Sequence, residues 1–168
     1  MLKTLHIENI AVIERADVEF SAGLSVLTGE TGAGKSIIID SLNAVLGNRV
    51  SRELVRSGAD RASVTASFEL AQAERWCADN EIDADDGEII LQRRISTDGK
   101  STGRVNGVPV TASQLRELGA LLLDIHGQND GRQLLDERRH LDYLDAFGEC
   151  GEALAAYRET YDAYRALV

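Results

Sequence analysis

An eight-residue glycine-rich loop constrains this chain more than any other feature of its sequence. The run Gly29-Glu30-Thr31-Gly32-Ala33-Gly34-Lys35-Ser36 has the spacing of a phosphate-binding loop, in which glycines let successive backbone N–H groups turn inward around a phosphate. In such loops the lysine reaches the outer phosphates and the serine hydroxyl ligates magnesium. We therefore expect ATP with Mg²⁺ to bind here, with Lys35 on the phosphates and Ser36 on the metal.

The residues on either side of the loop fit this prediction. The short apolar run Leu24–Thr28 leads into the loop and predicts a buried central strand. After the loop, apolar residues recur at helical spacing until Gly47, which can adopt the left-handed conformation that ends a helix. Strand, loop and helix thus occur in the order that the motif requires, which a flexible Gly/Ser/Thr turn matching by chance need not show.

Alternating apolar residues predict further β-strands before and after the loop. The first segment predicts two strands that join near Glu8 and Asn9. Later strands are expected at 61–70, 88–96, 103–105 and 108–110, and a short helix at 71–80. That helix should place Trp76 in the core, and Asn106-Gly107 is typical of a tight hairpin turn. The middle of the chain therefore predicts a β meander.

A helix should follow the meander. Thr111 and Gln114 have capping-box spacing, so the helix is expected to begin there and to run toward 121–123. The apolar run 121–123 then predicts a buried strand that ends near Asp124. Apolar residues ending in a carboxylate resemble a Walker B strand, so Asp124 is one candidate for holding magnesium through water.

The last segment has the pattern of a coiled coil. The residues Leu154, Tyr157, Tyr161, Tyr164 and Val168 are spaced 3, 4, 3, 4 with polar residues between them. This spacing covers two heptads, so a terminal helix packed on its own domain is the alternative. The pattern stops without a helix-ending signal, which leads us to expect a fragment of a longer protein.

Charge limits how this chain could contact nucleic acid. The formal net charge is −10, so any DNA contact should be local, because lysine and arginine supply the contacts to phosphates. Two clusters of basic residues qualify, and salt-bridged surface is the plain alternative for both: Arg49, Arg52, Arg56 and Arg61, then Arg93, Arg94, Lys100 and Arg104.

The chain has no apolar stretch of membrane-spanning length and no signal peptide at its start, which predicts a soluble, unexported protein without a membrane partner. Cys77 and Cys150 lie far apart without a CxxC spacing. That pattern indicates a reducing cytoplasm rather than a disulfide or zinc framework.

The loop with the preceding Gly23–Thr28, together with Asp124-Ile125-His126-Gly127-Gln128 and Leu134-Leu135-Asp136, closely resembles the SMC-like branch of the ABC ATPases, which includes bacterial DNA repair proteins. The resemblance covers essentially the whole chain. It implies an α/β, P-loop ABC-type ATPase N-terminal lobe with a mixed sheet and a β meander. Residues 1–148 would be this lobe of the head, and residues 149–168 the beginning of a coiled-coil arm.

The same resemblance implies roles for single residues and for partners. The position of Gln128 is similar to that of the Q-loop glutamine, which touches magnesium and the attacking water, so the resemblance favours Gln128 over Asp124. In this family two heads enclose two ATP molecules. The resemblance thus implies a homodimer of heads, DNA contacted through its phosphates, and a cytoplasmic protein at the nucleoid that acts in double-strand break repair.

Several family motifs are missing from this sequence. It contains no Leu-Ser-Gly-Gly signature, no apolar run ending in Asp-Glu after the coil and no later switch histidine. In the family these motifs lie in the C-terminal half of the head. We therefore expect this chain alone to bind nucleotide weakly and to hydrolyse it poorly.

Two other functional classes are open to a chain with this loop. A stand-alone P-loop kinase or GTPase predicts a lid or a guanine-reading Asn-Lys-x-Asp, and the sequence shows neither. A non-catalytic, nucleotide-dependent interaction module would use its terminal helix to pair with a partner.

Overall fold

The computed structural model describes residues 1–28, 34–84, 87–125 and 137–166. The chain divides into two compact units, Met1–Asp124 and Ile125–Val168. Within the described residues, the first unit contains the sheet and three α-helices, and the second contains two α-helices.

A six-stranded sheet with the order β2-β1-β3-β4-β5-β6 forms the centre of the first unit. Every pairing in it is antiparallel. The strands predicted before residue 21 and between residues 61 and 110 are present, and the meander is confirmed as β3 to β6. The strands are β1 (Leu2–Ile10), β2 (Ile13–Glu19), β3 (Arg61–Glu69), β4 (Glu88–Ser96), β5 (Ser101–Val105) and β6 (Val108–Val110).

The helices of the first unit are α1 (Lys35–Val45), α2 (Glu74–Asp79) and α3 (Ala112–Leu122), with short 3₁₀ turns at Arg52–Leu54 and Leu70–Gln72. The second unit contains α4 (Glu137–Phe147) and α5 (Gly151–Arg165). The sequence had predicted α5 but not α4.

The two faces of the sheet differ in character because side chains alternate along each strand. One face carries the core, where Ile7, Val64 and Leu91 are fully buried and α1 packs across β1, β3 and β4. We call the opposite face the outer face. It carries polar side chains, including His6, Thr65 and Gln92, which the strand register aligns in one row.

Local signals set the ends of the two longer helices in the first unit. Thr111 accepts a hydrogen bond from the Gln114 backbone N–H at 3.2 Å, and the Gln114 side chain accepts one from the Thr111 N–H at 3.0 Å. The capping box is therefore confirmed. Gly47 has φ +87° just after α1, as predicted for a residue that ends a helix.

The prediction of a buried strand before the loop is wrong for this chain. Residues 21–28 form no strand, and Leu24 and Val26 are 90% and 69% exposed. A buried strand needs partners for its backbone groups on both edges. Among the described residues, all strands are already paired within the six-stranded sheet, and none pairs with this segment.

The predicted strand ending at Asp124 is also wrong. Helix α3 continues through Leu122, Leu121 is 48% exposed, and Leu123 is the C-cap. Leucine has a high helix propensity, so an apolar run that follows a capped helix can extend it instead of starting a strand. The first two strands also join later than expected, at Ala11 and Val12, because β1 continues to Ile10.

Burial confirms the predicted core position of Trp76 in α2. Trp76 is 5% exposed, and the neighbouring Cys77 is a buried free thiol whose pKa is raised by that burial. Cys150 is also a free thiol. None of the described helices is both long and apolar enough to cross a lipid bilayer.

Candidate nucleotide-binding site

The N-terminus of α1 presents backbone N–H donors at the end of the glycine-rich loop. Gly34 is the N-cap, with φ +101°, and it has no side chain to cap the helix. The first helical hydrogen bond runs from the Ile38 N–H to the Gly34 carbonyl at 3.0 Å, so the N–H groups of residues 35–37 have no partner within the helix. The first turn contains no acidic residue. These donors and the positive end of the helix dipole fit an anion such as a phosphate.

Lys35 and Ser36 are the first two residues of α1. Lys35 is half-buried and Ser36 is exposed. The helix therefore places both side chains at its positively polarised end. The predicted binding residues Gly29, Glu30, Thr31, Gly32 and Ala33 lie outside the described residues.

Packing of its second half anchors α1 against the sheet. Leu42, Ala44 and Val45 in the second half of α1 are buried, and Ser41 donates its hydroxyl to the Ile37 carbonyl at 2.6 Å. The helix contacts three strands of the sheet. A rigid support of this kind suits a site that must aim several donors at one group.

Asp124 and Gln128 are the two candidate magnesium ligands that follow α3 in the sequence, and the structure describes only the first of them. Asp124 is exposed and follows the C-cap of α3, so no Walker B strand presents it among the described residues. Gln128 lies outside the described residues. Its role as a ligand of magnesium and the attacking water stays a prediction.

Comparison with known proteins identifies the family. Residues 4–149 match the AAA domain. This chain belongs to the AAA domain family. The match includes the glycine-rich loop, all six strands and α1 to α4, so this AAA domain occupies nearly the whole of the described sheet and its helices.

The relatives of this AAA domain include a DNA repair protein. Over 169 residues the chain is 48% identical to the DNA repair protein RecN of Bacillus subtilis strain 168. The alignment covers 98% of this chain but 29% of the Bacillus protein. The chain therefore spans less than a third of the length of this relative.

Solved structures show the same fold. The Smc head domain of Pyrococcus yayanosii with its coiled coil and joint has a TM-score of 0.68 at 22% identity, over 94% of this chain and 35% of that one. A structure from work on ATP-driven dimerization and DNA-stimulated activation of SMC ATPases has a TM-score of 0.62 at 24% identity, over 82% and 95%. These likenesses confirm the predicted α/β fold class, because the described residues have the fold of an SMC head lobe.

The residues of the two predicted basic clusters lie in different environments in the structure. Arg93 is 4% exposed, so it cannot belong to a surface cluster, and that part of the prediction is wrong. Its position on β4 points it to the core face, opposite Val64 and Gly103. Arg56 donates to the Val12 carbonyl at 2.6 Å and so supports the β1–β2 turn, and Lys100 pairs with Asp98 at 2.9 Å.

Three other arginines of these clusters meet on the outer face. Arg61 comes from the first cluster, and Arg94 and Arg104 come from the second. Sequence spacing could not show that they are neighbours, although the alternation of β4 could have separated Arg94 from the buried Arg93. Arg49 lies elsewhere, beside a cavity of about 450 Å³ after α1 that Asp40 and Glu53 also line.

Proposed function

We propose that this chain is the ATP-binding, N-terminal part of an SMC-like ATPase that acts in DNA double-strand break repair and recombination. The observation that carries the proposal is the uncapped N-terminus of α1 at the end of a phosphate-loop sequence. The 48% identity to a DNA repair protein supports the biological role. Such a protein would work in the cytoplasm, at the nucleoid.

The proposed site residues have different roles in binding the phosphates and the metal. Backbone N–H groups from Gly29 to Ser36 would bind the β-phosphate, and Lys35 would contact the β- and γ-phosphate oxygens. Ser36 and Gln128 would hold Mg²⁺, which screens charge on the phosphates. Lys35 and Gln128 are the proposed catalytic residues of this chain.

We propose that this site is completed by other parts of the assembly. A second head and the C-terminal half of the same head would supply the remaining catalytic groups, with two identical heads closing on ATP. One of the solved structures with the same fold comes from work on ATP-driven dimerization of SMC ATPases, which supports this proposal. The exposed apolar residues Leu24, Val26 and Leu27 support it as well, because an apolar run beside a site is a surface that a partner can cover.

ATP turnover tests the proposal in a protein of the relatives' full length that contains this chain. We expect Lys35→Ala to lower kcat for ATP hydrolysis by about 10²-fold or more, because it removes a positive charge that stabilises the transition state. Lys100→Ala is the matched control, since this exposed lysine lies in the turn after β4 and should leave turnover unchanged.

Two results would contradict the proposal. One is transfer of the γ-phosphate to an acceptor other than water, which would indicate a kinase. The other is unchanged hydrolysis in Lys35→Ala. DNA should stimulate hydrolysis by the unmodified protein, and an interaction module without catalysis would bind ATP but release no phosphate.

A further inference from the structure

Three arginines lie in a straight diagonal on the outer face of the sheet. Arg94 on β4 is directly opposite Ser63 of β3 and Thr102 of β5. Arg61 lies two residues before Ser63, and Arg104 lies two residues after Thr102, so the three side chains step across β3, β4 and β5. We call Arg61, Arg94 and Arg104 the arginine diagonal.

Strand geometry sets the spacing of the diagonal. Two residues along a strand and one strand across separate neighbouring arginines by about 8 Å, so the whole diagonal spans about 16 Å. One strand of a DNA duplex presents a phosphate every ~3.4 Å along the axis. The diagonal is thus long enough to face several phosphates of one strand, whereas a single free phosphate would engage one or two of the arginines.

The positive charge of the diagonal is not neutralised within the described residues. All three arginines are exposed, and none of them has a carboxylate within 4.0 Å in the described ranges. Two acids near the diagonal pair with other groups. Glu8 lies 3.1 Å from the His6 ring, and Asp17 contacts both His6 and Arg15.

Polar groups surround the first two arginines, and most of them are neutral. Arg61 and Arg94 line a cavity of about 260 Å³ with Asn9, Ser63, Thr65 and Gln92, and His6 and Glu8 line it as well. Glu8 is the acid among these residues, and its carboxylate is paired with the His6 ring. Hydroxyl and amide groups can donate to phosphate oxygens beside a guanidinium, which itself binds an oxyanion through two parallel N–H donors. The cavity contains no large apolar side chain that would select a base or another ring.

We propose that the arginine diagonal is a docking surface for the sugar-phosphate backbone of DNA, separate from the nucleotide site. This inference rests on the proposed function, because the proposed role in DNA repair is the reason for taking DNA as the polyanion that binds here. Binding there involves phosphates and no base edges, so it is independent of DNA sequence and falls steeply with salt. The net charge of −10 confines the contact to this local surface.

The test is DNA binding by this chain and by a triple variant, Arg61→Gln, Arg94→Gln and Arg104→Gln. Fluorescence anisotropy of a labelled duplex, without nucleotide, gives affinity at several salt concentrations. The slope of log K against log salt should become shallower by about 0.9 for each lost phosphate contact, or about 2 to 3 for the triple variant. Circular dichroism checks that the variant is folded.

The matched control is a second triple variant, Arg75→Gln, Arg158→Gln and Arg165→Gln. These arginines are also exposed, lie on α2 and α5, and change the net charge by the same amount. The proposal predicts that this control keeps most of the affinity and the salt slope. Equal losses in the two variants, or no measurable DNA binding by the unmodified chain, would overturn it.

Competition separates the possible sources of phosphate. Unlabelled duplex should displace the labelled duplex, while inorganic phosphate or ATP at equal phosphate concentration should not. Displacement by inorganic phosphate alone would mean a simple anion site and would overturn the docking surface. These binding measurements are independent of the test of the proposed function. If the proposed function is wrong, ATP hydrolysis that depends on Lys35 will not be found, whatever the DNA-binding measurements show.

Discussion

Two arginines that are adjacent in sequence occupy opposite environments. Arg94 is exposed on the outer face, whereas the Arg93 guanidinium is buried on the core face and donates to the Ser101 hydroxyl at 2.8 Å. Within the described ranges its Nε and Nη1 atoms have no hydrogen-bond partner. Burial, and secondarily the charge of Arg116, lowers the pKa of Arg93. A buried cation without a full set of hydrogen bonds lowers the stability of the fold. The exposed Arg94 has no such cost and remains accessible to a ligand.

A second residue-scale feature gives a prediction about pH. The hydrogen bond with Asp17 is the main cause that raises the pKa of His6 above 6.5, and Glu8 acts in the same direction, while partial burial opposes both. The same hydrogen bond lowers the pKa of Asp17. The pair should therefore stabilise the fold below the unfolded pKa of His6, and this stabilisation should disappear as pH rises through the raised folded value.

The measurement is the melting temperature of the chain minus that of His6→Gln across pH. We expect the difference to be positive near about pH 5.5 and to shrink toward zero near about pH 9. It should also shrink in strong acid, because protonation of Asp17 removes the anionic partner. Asp17→Asn is the control and should retain part of the effect through Glu8. A difference that does not vary with pH would contradict this account.

At the scale of elements, α1 and α3 approach each other closely where α1 ends. A Cβ atom on Gly47 would lie 2.5 Å from the Arg116 backbone N, and one on Gly119 would lie 2.8 Å from the Leu46 carbonyl O. Arg116 also donates to the Gly47 carbonyl at 3.2 Å, which places a cation at the negative end of the α1 dipole. The glycines thus allow a backbone contact that fixes α3 against α1.

Gly47→Ala should therefore lower the free energy of unfolding by more than about 3 kcal/mol, because a left-handed φ and a clash with backbone act together. Gly58→Ala is a matched control: Gly58 has the same φ of +87° but has nothing within 4 Å of an added Cβ. It should cost about 1 to 2 kcal/mol from the backbone conformation alone. Urea denaturation of both variants checks the difference, and equal costs would rule out the close approach.

The whole molecule combines a closed core with an open apolar segment. The core face of the sheet is covered, with Phe68, Leu115 and Leu118 fully buried. The segment 21–28, which leads from β2 toward the glycine-rich loop, keeps its apolar side chains in solvent. An exposed apolar run is a surface that promotes association.

This exposure predicts how the isolated chain behaves in solution. Val26→Ser should reduce binding of a hydrophobic dye and reduce self-association, because Val26 lies in a run with Leu24 and Leu27. Val12→Ser is the control, since Val12 is similarly exposed, at 71%, but lies in the β1–β2 turn. Both variants should change the free energy of unfolding by less than about 0.5 kcal/mol.

Dye fluorescence and light scattering measure the two effects. Equal responses of the Val26 and Val12 variants would mean that segment 21–28 does not promote dye binding or self-association more than another exposed apolar residue does. In a protein of the relatives' full length, we expect slower hydrogen exchange at residues 24–28, because the proposed partner half would cover them.

The sequence determined the features that depend on a few neighbouring residues. The helix end at Gly47, the capping box at Thr111 and the Asn106-Gly107 turn all act through backbone conformations or hydrogen bonds within one turn. Their positions could be predicted because each signal and its structural result involve the same residues.

Only the tertiary structure decided which distant residues became neighbours and which apolar runs found partners. Strand register brought Arg61 beside Arg94 and buried Arg93, and α3 continued through Leu122 where a strand was expected. Leu24–Thr28 reads as a buried strand but is exposed here. The physical reason is that pairing and burial depend on what lies across the fold, and a local pattern shows that a segment can be buried but does not supply the surface that buries it.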